Sequence, residues 1–219
     1  MLAGVRAIVE DLHVTRRLNI RIAISVFDGS PTLRVVSAHT LDTKALLDAI
    51  AGLATLTPRV GGTNLNGGVI EALSTQAAVR AAYVKSHSTF DSTKGFVVVF
   101  TDGTDTSALK TAADVESAKS TYPDTLIGVG LPSVDYRADA LSSLVSRPNQ
   151  AKVLYEPATA EALSQDLTTV GSRVAAHSAS FYLLGYCTPA ASGHALLGWK
   201  LDHNVTSNLL ERDLVGTGY

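Results

Sequence analysis

Apolar residues follow two different spacings along this chain. Short apolar runs rich in β-branched residues, which are typical of strands, are separated by stretches in which apolar residues recur every three or four positions, which are typical of helices. The spacing predicts strands at 20–27, 33–38, 96–100, 125–129 and 152–155, and helices at 2–17, 43–56, 63–85, 107–121, 137–145 and 161–176. This alternation predicts an α/β fold with a doubly wound, mostly parallel sheet flanked by helices.

The end of the chain follows a different pattern. Two further strands are predicted at Phe181–Cys187 and Ala195–Leu201, around a turn at Pro189–Gly193. We therefore expect an α/β domain over residues 1–178 and a β-hairpin extension over residues 179–219. The lone cysteine, Cys187, is expected to be a buried free thiol, with pairing to a cysteine elsewhere as the alternative.

The most buried predicted strand ends in a polar segment. Residues 96–100 are all apolar, as expected of a parallel strand that is covered on both faces, and Thr101, Asp102 and Gly103 follow at once. Open α/β sheets place their ligand sites at the carboxyl ends of such strands. Asp102 is therefore the first candidate functional residue.

A second glycine-rich loop offers a partner for this carboxylate. Gly61, Gly62 and Thr63 precede the helix predicted at 63–85, and neither a phosphate-binding loop nor a dinucleotide-binding fingerprint fits them. Taken alone, Thr63 is expected to be a helix N-cap and Asp102 a turn residue. Together, their hydroxyl and carboxylate oxygens are ligands that Mg²⁺ prefers, and none of the six histidines has the spacing of a zinc site.

Two other aspartates are given structural roles. Asp28 is predicted to form a turn after the strand at 20–27. Asp105 is expected to be a solvated loop carboxylate, with a supporting hydrogen-bond acceptor as the alternative. Thr43, like Thr63, is predicted to cap the helix that it precedes.

Composition excludes several partner classes. The net charge of the 219 residues is -2 and the basic residues form no cluster, so nucleic acid is not an expected partner. No apolar run approaches the roughly 20 residues that cross a bilayer. No arrangement of Ser, His, Asp, Cys or paired carboxylates predicts catalysis, so we expect a protein that is not an enzyme.

The two loops carry a resemblance to a known family. The segment GGTNLNGGVIEAL at 61–73, followed by FVVVFTDG at 96–103, resembles the von Willebrand factor type A (vWA) domain, and the IAISVFDGS strand agrees with it. The resemblance covers residues 2–176 and implies a Rossmann-like fold. It also implies that Thr63 and Asp102 are metal ligands of a metal-ion-dependent adhesion site, with Mg²⁺ bound, or alternatively Mn²⁺ or Ca²⁺. The segment FYLLGYCTP resembles an extension found after vWA domains of some bacterial proteins.

One element of the family is missing from the chain. The Asp-x-Ser-x-Ser motif, which in the family ends a first strand in the middle of the sheet, does not occur here. The resemblance therefore implies a domain that is incomplete at its amino-terminal side, so that an upstream segment or another chain supplies the strand. Unpaired backbone groups left in the core would each cost about 1–3 kcal/mol.

The resemblance implies a protein-interaction or adhesion module, which binds an acidic group of a partner through the metal. The alternatives are a structural scaffold that uses no metal and a regulatory subunit of an enzyme, as in the metal chelatases. The family likeness favours an extracellular, cell-surface or periplasmic location.

Overall fold

The computed structural model describes residues 2–87, 95–101, 104–131, 137–145, 153–179, 192–197 and 210–215. The helices are α1 (Leu2–Glu10), α2 (Thr43–Gly52), α3 (Leu65–His87), α4 (Ala112–Thr121), α5 (Ala138–Val145) and α6 (Ala160–Ala179). A π-helical turn, Asp11–Thr15, continues α1, and a 3₁₀ turn, Leu53–Thr55, follows α2. The strands are β1 (Ile22–Val26), β2 (Arg34–Thr40), β3 (Phe96–Thr101), β4 (Thr125–Gly130), β5 (Leu154–Tyr155), β6 (Ser192–Leu197) and β7 (Leu210–Val215).

A parallel sheet of three strands, in the order β3-β4-β5, forms the centre of the fold. Phe96 pairs with Thr125 and Thr101 with Gly130, so β3 and β4 are in register over their full length. Residues 126–130 of β4 are buried, as expected of a strand that is paired on both sides and covered on both faces. The α/β fold with a parallel sheet is thus confirmed.

Helices cover both faces of this sheet. One face packs against α3, α4 and α5 through a cluster that includes Leu73, Val99 and Leu126. The other face packs against α6 and the end of α1 through a cluster that includes Leu12 and Ile127. Neighbouring residues of a strand point to opposite faces, so the apolar run in β3 contributes to both clusters.

Strands β1 and β2 form a separate antiparallel sheet. Their pairing runs from Ile22 opposite Thr40 to Val26 opposite Arg34, with register irregularities on either side of Ile24. Within the part of the chain that the structure describes, β1 pairs only with β2, and β3 pairs only with β4.

Two predicted helix starts are wrong for local reasons. Asp42, not Thr43, caps α2, because its carboxylate accepts a hydrogen bond from the amide of Ala45 at 3.0 Å. The Thr43 hydroxyl lies 3.1 Å from Nδ1 of His13 instead. The helix predicted from residue 107 begins at Ala112, where Thr111 and Asp114 form a capping box.

The residues from Tyr182 onwards form a compact unit of their own. In it β6 pairs with β7 in an antiparallel hairpin, with Ser192 opposite Val215. The predicted turn at 189–193 is therefore wrong at Ser192 and Gly193, which belong to β6. The predicted strand at 181–187, with Cys187, lies outside the described residues. Of the helices described, none has the length and hydropathy needed to cross a membrane.

Candidate metal-binding and interaction site

Two loops meet at the carboxyl ends of β1 and β3. We call residues 59–64 the Thr63 loop and residues 104–110 the Asp105 loop. The amide of Thr63 donates to the Thr106 hydroxyl at 2.8 Å, and the amides of Thr106 and Ser107 donate to the Thr63 carbonyl at 2.9 and 3.1 Å. These bonds fix the Thr63 backbone against the segment that follows β3.

The Thr63 loop needs glycine where it passes close to its neighbours. Gly62 has a φ of 91°, a conformation that residues with a Cβ rarely adopt, and a Cβ there would lie 3.1 Å from the Thr106 hydroxyl. A Cβ at Gly29 would lie 2.0 Å from the carbonyl oxygen of Gly61. The glycines therefore allow the loop to lie against both the turn after β1 and the Asp105 loop.

Asp28 holds the other end of the Thr63 loop. Its carboxylate accepts hydrogen bonds from the amides of Ser30 at 2.8 Å and Arg59 at 2.6 Å, and its carbonyl accepts one from the amide of Asn64 at 2.8 Å. Hydrogen bonds from the Ser30 side chain and amide, and then from the Arg59 amide, hold the pKa of the Asp28 carboxyl well below its ordinary value. The predicted turn residue thus also positions the loop.

Asn64, not Thr63, caps α3. Its side chain is buried, accepts from the amide of Gly67 at 3.1 Å and donates to the carbonyl of Ser30 at 2.8 Å. The predicted cap at Thr63 is therefore wrong by one residue. Within the described part of the chain, the hydrogen bonds of Thr63 involve its backbone amide and its carbonyl.

Asp105 organises the second loop. One oxygen accepts from the amide of Asn66 in the first turn of α3 at 2.8 Å, and the other accepts from the Ala108 amide at 3.0 Å and the Ser107 hydroxyl at 3.3 Å. Ala108 has a φ of 52°, and the hydrogen bond from its amide to Asp105 helps to hold this conformation. The half-buried carboxylate bonds to protein groups, so the expectation of a solvated carboxylate is wrong, and the alternative, an acceptor that supports a metal ligand, stays a prediction.

The structure describes Thr63 but not the second predicted ligand. Asp102 lies outside the described residues, although Thr101 at the end of β3 and Thr104 at the start of the Asp105 loop are described on either side of it. Backbone amides already occupy the carboxylates of Asp28 and Asp105. Within the described residues, no group of three His, Cys, Asp or Glu side chains could hold a metal ion.

Thr106 is the residue that the sequence analysis missed. Its side chain joins the two loops, yet nothing about an isolated threonine in a polar segment indicates this. The available signal was length, because the polar segment from Thr101 to Ser107 is longer than a simple turn requires. Val60 lies on the Thr63 loop and is 49% exposed, and Leu109 lies on the Asp105 loop and is 50% exposed. Both add apolar surface to these loops.

Solved structures with the same fold come from two distant sources. Proximal thread matrix protein 1 (PTMP1) from the mussel byssus matches with a TM-score of 0.53 and 17% identity, over 78% of this chain and 40% of that one. Manganese-loaded TRAP protein from Plasmodium vivax matches with a TM-score of 0.52 and 11% identity, over 97% and 84% of the two chains. A further PTMP1 structure, with a TM-score of 0.50 and 13% identity over 80% and 39% of the two chains, has a zinc-occupied MIDAS motif.

This chain thus spans about two fifths of the length of the mussel protein. At these identities the likeness concerns the fold alone. No curated protein matches the chain.

A family model identifies the chain more directly. The model of the von Willebrand factor type A domain matches residues 1–169, which include the Thr63 loop, the Asp105 loop and every strand from β1 to β5. The chain belongs to the von Willebrand factor type A domain family.

Proposed function

We propose that this vWA domain is a protein-interaction module and that its binding face is the surface formed by the Thr63 and Asp105 loops. The observation that carries the proposal is the reciprocal hydrogen bonding between Thr63 and Thr106. It fixes two loops from different parts of the chain into one surface, and it does so through the Thr63 amide and carbonyl rather than through the Thr63 hydroxyl. Binding residues are commonly found on loops that a rigid scaffold positions in this way.

We further propose that Thr63 and Asp102 bind a divalent cation, with Mg²⁺ as the first candidate and Mn²⁺ or Ca²⁺ as alternatives. Asp102 follows the last residue of β3 and precedes the loop that bonds to Thr63, which supports a position near the Thr63 hydroxyl. Hydroxyl and carboxylate oxygens suit these ions, and Mg²⁺ usually keeps several waters. The zinc and manganese in the mussel and Plasmodium structures support metal binding on this fold. One coordination position would then bind an acidic group of the partner protein.

A second candidate is an interaction scaffold that uses no metal. Its support is that hydrogen bonds between protein groups hold the loops together, namely the Thr63–Thr106 pair and the bond from the Asn66 amide to Asp105. In this case the partner would contact a preformed surface with Val60 and Leu109 at its edges. Neither candidate involves catalysis.

Thermal unfolding with metal ions separates the two candidates. A ligand that binds only the folded state stabilises it by about 2.7 kcal/mol at a hundredfold excess over its Kd. For a domain of this size that corresponds to a rise of about 5–10 °C in Tm. We expect this rise with millimolar Mg²⁺ or Mn²⁺ and its reversal by EDTA.

Matched variants locate the effect. Thr63→Val and Asp102→Asn should abolish the metal-dependent rise in Tm, whereas Thr75→Val and Asp48→Asn, which change exposed residues on α3 and α2, should keep it.

A second experiment tests whether the bound metal recognises an acidic group. A resin that carries carboxylates should retain the protein in Mg²⁺ and release it in EDTA, whereas a resin that carries amides instead should not retain it. A wild-type Tm that does not change on addition of Mg²⁺, Mn²⁺ or Ca²⁺ would favour the scaffold that uses no metal.

A further inference from the structure

Three arginines lie where α1 ends and β1 begins, at the opposite end of β1 from the Thr63 loop. Arg16, Arg17 and Arg21 are all exposed. Asp11 pairs with Arg16 at 2.7 Å, whereas the side chains of Arg17 and Arg21 form no ion pair with any residue that the structure describes. Three arginines are too few for a nucleic-acid site. Two unpaired guanidinium groups on one short segment, however, are suited to bind carboxylates.

The segment that carries these arginines is anchored on its inner side. Leu18 and Ile20 are partly buried and pack against the apolar cluster that α6 and the end of α1 share. Arg17, Asn19 and Arg21 are exposed. Exposure therefore alternates along residues 17–21, and the three polar side chains lie on the outward side of the segment.

The backbone of this region adopts two uncommon conformations. α1 ends in the π-helical turn Asp11–Thr15, and Arg17 has a φ of 51°, which is uncommon for a residue other than glycine. Directly after Arg17, the amide of Leu18 donates to the carbonyl of Leu12 at 2.8 Å and helps to hold this conformation. Backbone strain and π-helical turns are both frequent at functional sites.

Exposed apolar side chains lie in the same region. Nε2 of His13 lies 2.7 Å from the Ile20 carbonyl and Nδ1 lies 3.1 Å from the Thr43 hydroxyl, so the end of α1 and the starts of β1 and α2 meet at this histidine. Val14, next to His13, is 59% exposed, and Leu41, just after β2, is 41% exposed. Cationic and apolar groups are therefore exposed side by side.

We propose that Val14, Arg17, Asn19, Arg21 and Leu41, the arginine corner, bind an extended acidic segment of a partner protein. Residues i and i+2 of an extended chain lie about 6.5–7 Å apart, so Asp or Glu residues four positions apart match the two unpaired arginines. Charge-assisted hydrogen bonds join each guanidinium to a carboxylate. The amide of Asn19 donates to and accepts from the segment between them. An apolar residue at an end of the segment contacts Val14 or Leu41.

The charge of the whole chain favours a polypeptide over an anionic bilayer as the partner. A bilayer surface acts on every charge within a Debye length of about 10 Å, and the net charge of the chain is -2. The carboxylates of a bound segment need to reach only two guanidinium groups. The arginine corner and the Thr63 loop lie at opposite ends of β1, so one domain can bind two partners at once, and the corner needs no metal.

Two peptides of equal length test the proposal on the full chain. In the first, glutamate alternates with serine over about nine residues, with a leucine at each end. The second has glutamine in place of every glutamate. We expect the glutamate peptide to bind in fluorescence anisotropy, and to bind more weakly as salt rises from about 0.05 to 0.5 M. The glutamine peptide should not bind, and EDTA should leave the binding of the first unchanged.

Variants locate the binding on the domain. Arg17→Gln and Arg21→Gln should each weaken binding of the glutamate peptide about twofold to fivefold, as expected for the loss of one exposed ion pair. The double variant should lose about the product of the two factors. Arg173→Gln, which removes an exposed arginine of α6, is the control and should leave the affinity unchanged. Urea unfolding checks that each variant is folded.

Several results would overturn the proposal. Equal binding of the two peptides, or equal affinity of the wild type and the double variant, would exclude pairing with these arginines. A third peptide with the same residues but all glutamates in one block should bind more weakly, and equal binding would mean unspecific attraction. Binding to vesicles that contain phosphatidylserine, without binding of the peptide, would replace the acidic segment with a membrane surface. None of these results depends on Thr63 or on a metal, so this proposal and the proposed function fail separately.

Discussion

Thr63 and Thr106 bond to each other in both directions. The amide of Thr63 donates to the Thr106 hydroxyl at 2.8 Å, and the amide of Thr106 donates to the Thr63 carbonyl at 2.9 Å. The two residues lie 43 positions apart in sequence and on different loops. The face of the domain on which Thr63 lies is therefore formed by contacts between two loops that are distant in sequence.

Thr106→Val should loosen this face. Valine has the shape of threonine but no hydroxyl, so the Thr63 amide loses its acceptor, at a cost of about 0.5–1.5 kcal/mol for one hydrogen bond. Urea unfolding measures the loss, and amide exchange at Thr63 should accelerate. Thr106→Ser keeps the hydroxyl and should recover most of the stability. If valine and serine variants unfold at the same urea concentration, the bond contributes nothing.

Asp105→Ala should destabilise the domain more than the removal of an exposed carboxylate. The change removes the acceptor for the Asn66 amide in the first turn of α3, which resembles the loss of a helix cap and costs about 0.5–2 kcal/mol. It also frees Ala108 from the bond that supports its positive φ. Asp48→Ala, in which the lost carboxylate pairs only with exposed Lys44, is the control and should change stability by about 0.5 kcal/mol or less. Equal losses of stability in Asp105→Ala and Asp48→Ala would mean that Asp105 does not position the loop.

Asp28 should make the stability of the domain fall as the pH decreases through the acidic range. Its folded-state pKa is held below the ordinary value of 3.8, so the unfolded chain binds the proton more readily than the folded one does. The stabilisation is therefore complete above the ordinary pKa and is lost as pH falls below it towards the folded-state pKa. Tm measured from neutral pH to about pH 3 should fall more steeply for the wild type than for Asp28→Asn. Parallel curves would contradict this role of the carboxylate.

A pair of glycine substitutions tests the packing of β4 against α5. A Cβ at Gly128 would lie 2.9 Å from Cγ1 of Val145 and 3.1 Å from Cγ of Leu141, so Gly128→Ala should cost about 1–3 kcal/mol through overpacking. Gly52, at the end of α2, has open space where a Cβ would lie and a helical φ of -63°, so Gly52→Ala should add about 0.4–1 kcal/mol. The midpoint of guanidinium unfolding should thus fall for Gly128→Ala and rise for Gly52→Ala. A Gly128→Ala variant as stable as the wild type would mean that α5 can shift away from the sheet.

The hydrophobic pattern predicted most of the elements because periodicity is a local property of the chain. The apolar run at 96–100 became β3, and the helix predicted at 161–176 became α6, extended at both ends to Ala160–Ala179. Helix starts were less predictable. Both Thr63 and Asn64 are good cap residues, and the choice between them depends on the Asp28 carbonyl, which fixes the Asn64 amide from another part of the chain.

The sequence by itself determined that the chain is an α/β protein, that a glycine-rich loop opens α3 and that a polar segment follows β3. Only the tertiary structure decided that Asp28, Asp105 and Thr106 hold those two loops together, and that among the described strands β1 pairs with β2 and β3 with β4. The physical reason is that spacing along the chain encodes which face of an element is apolar. Hydrogen bonds between residues 31 to 43 positions apart depend on how the packed elements bring the loops together, and no local sequence pattern predicts that.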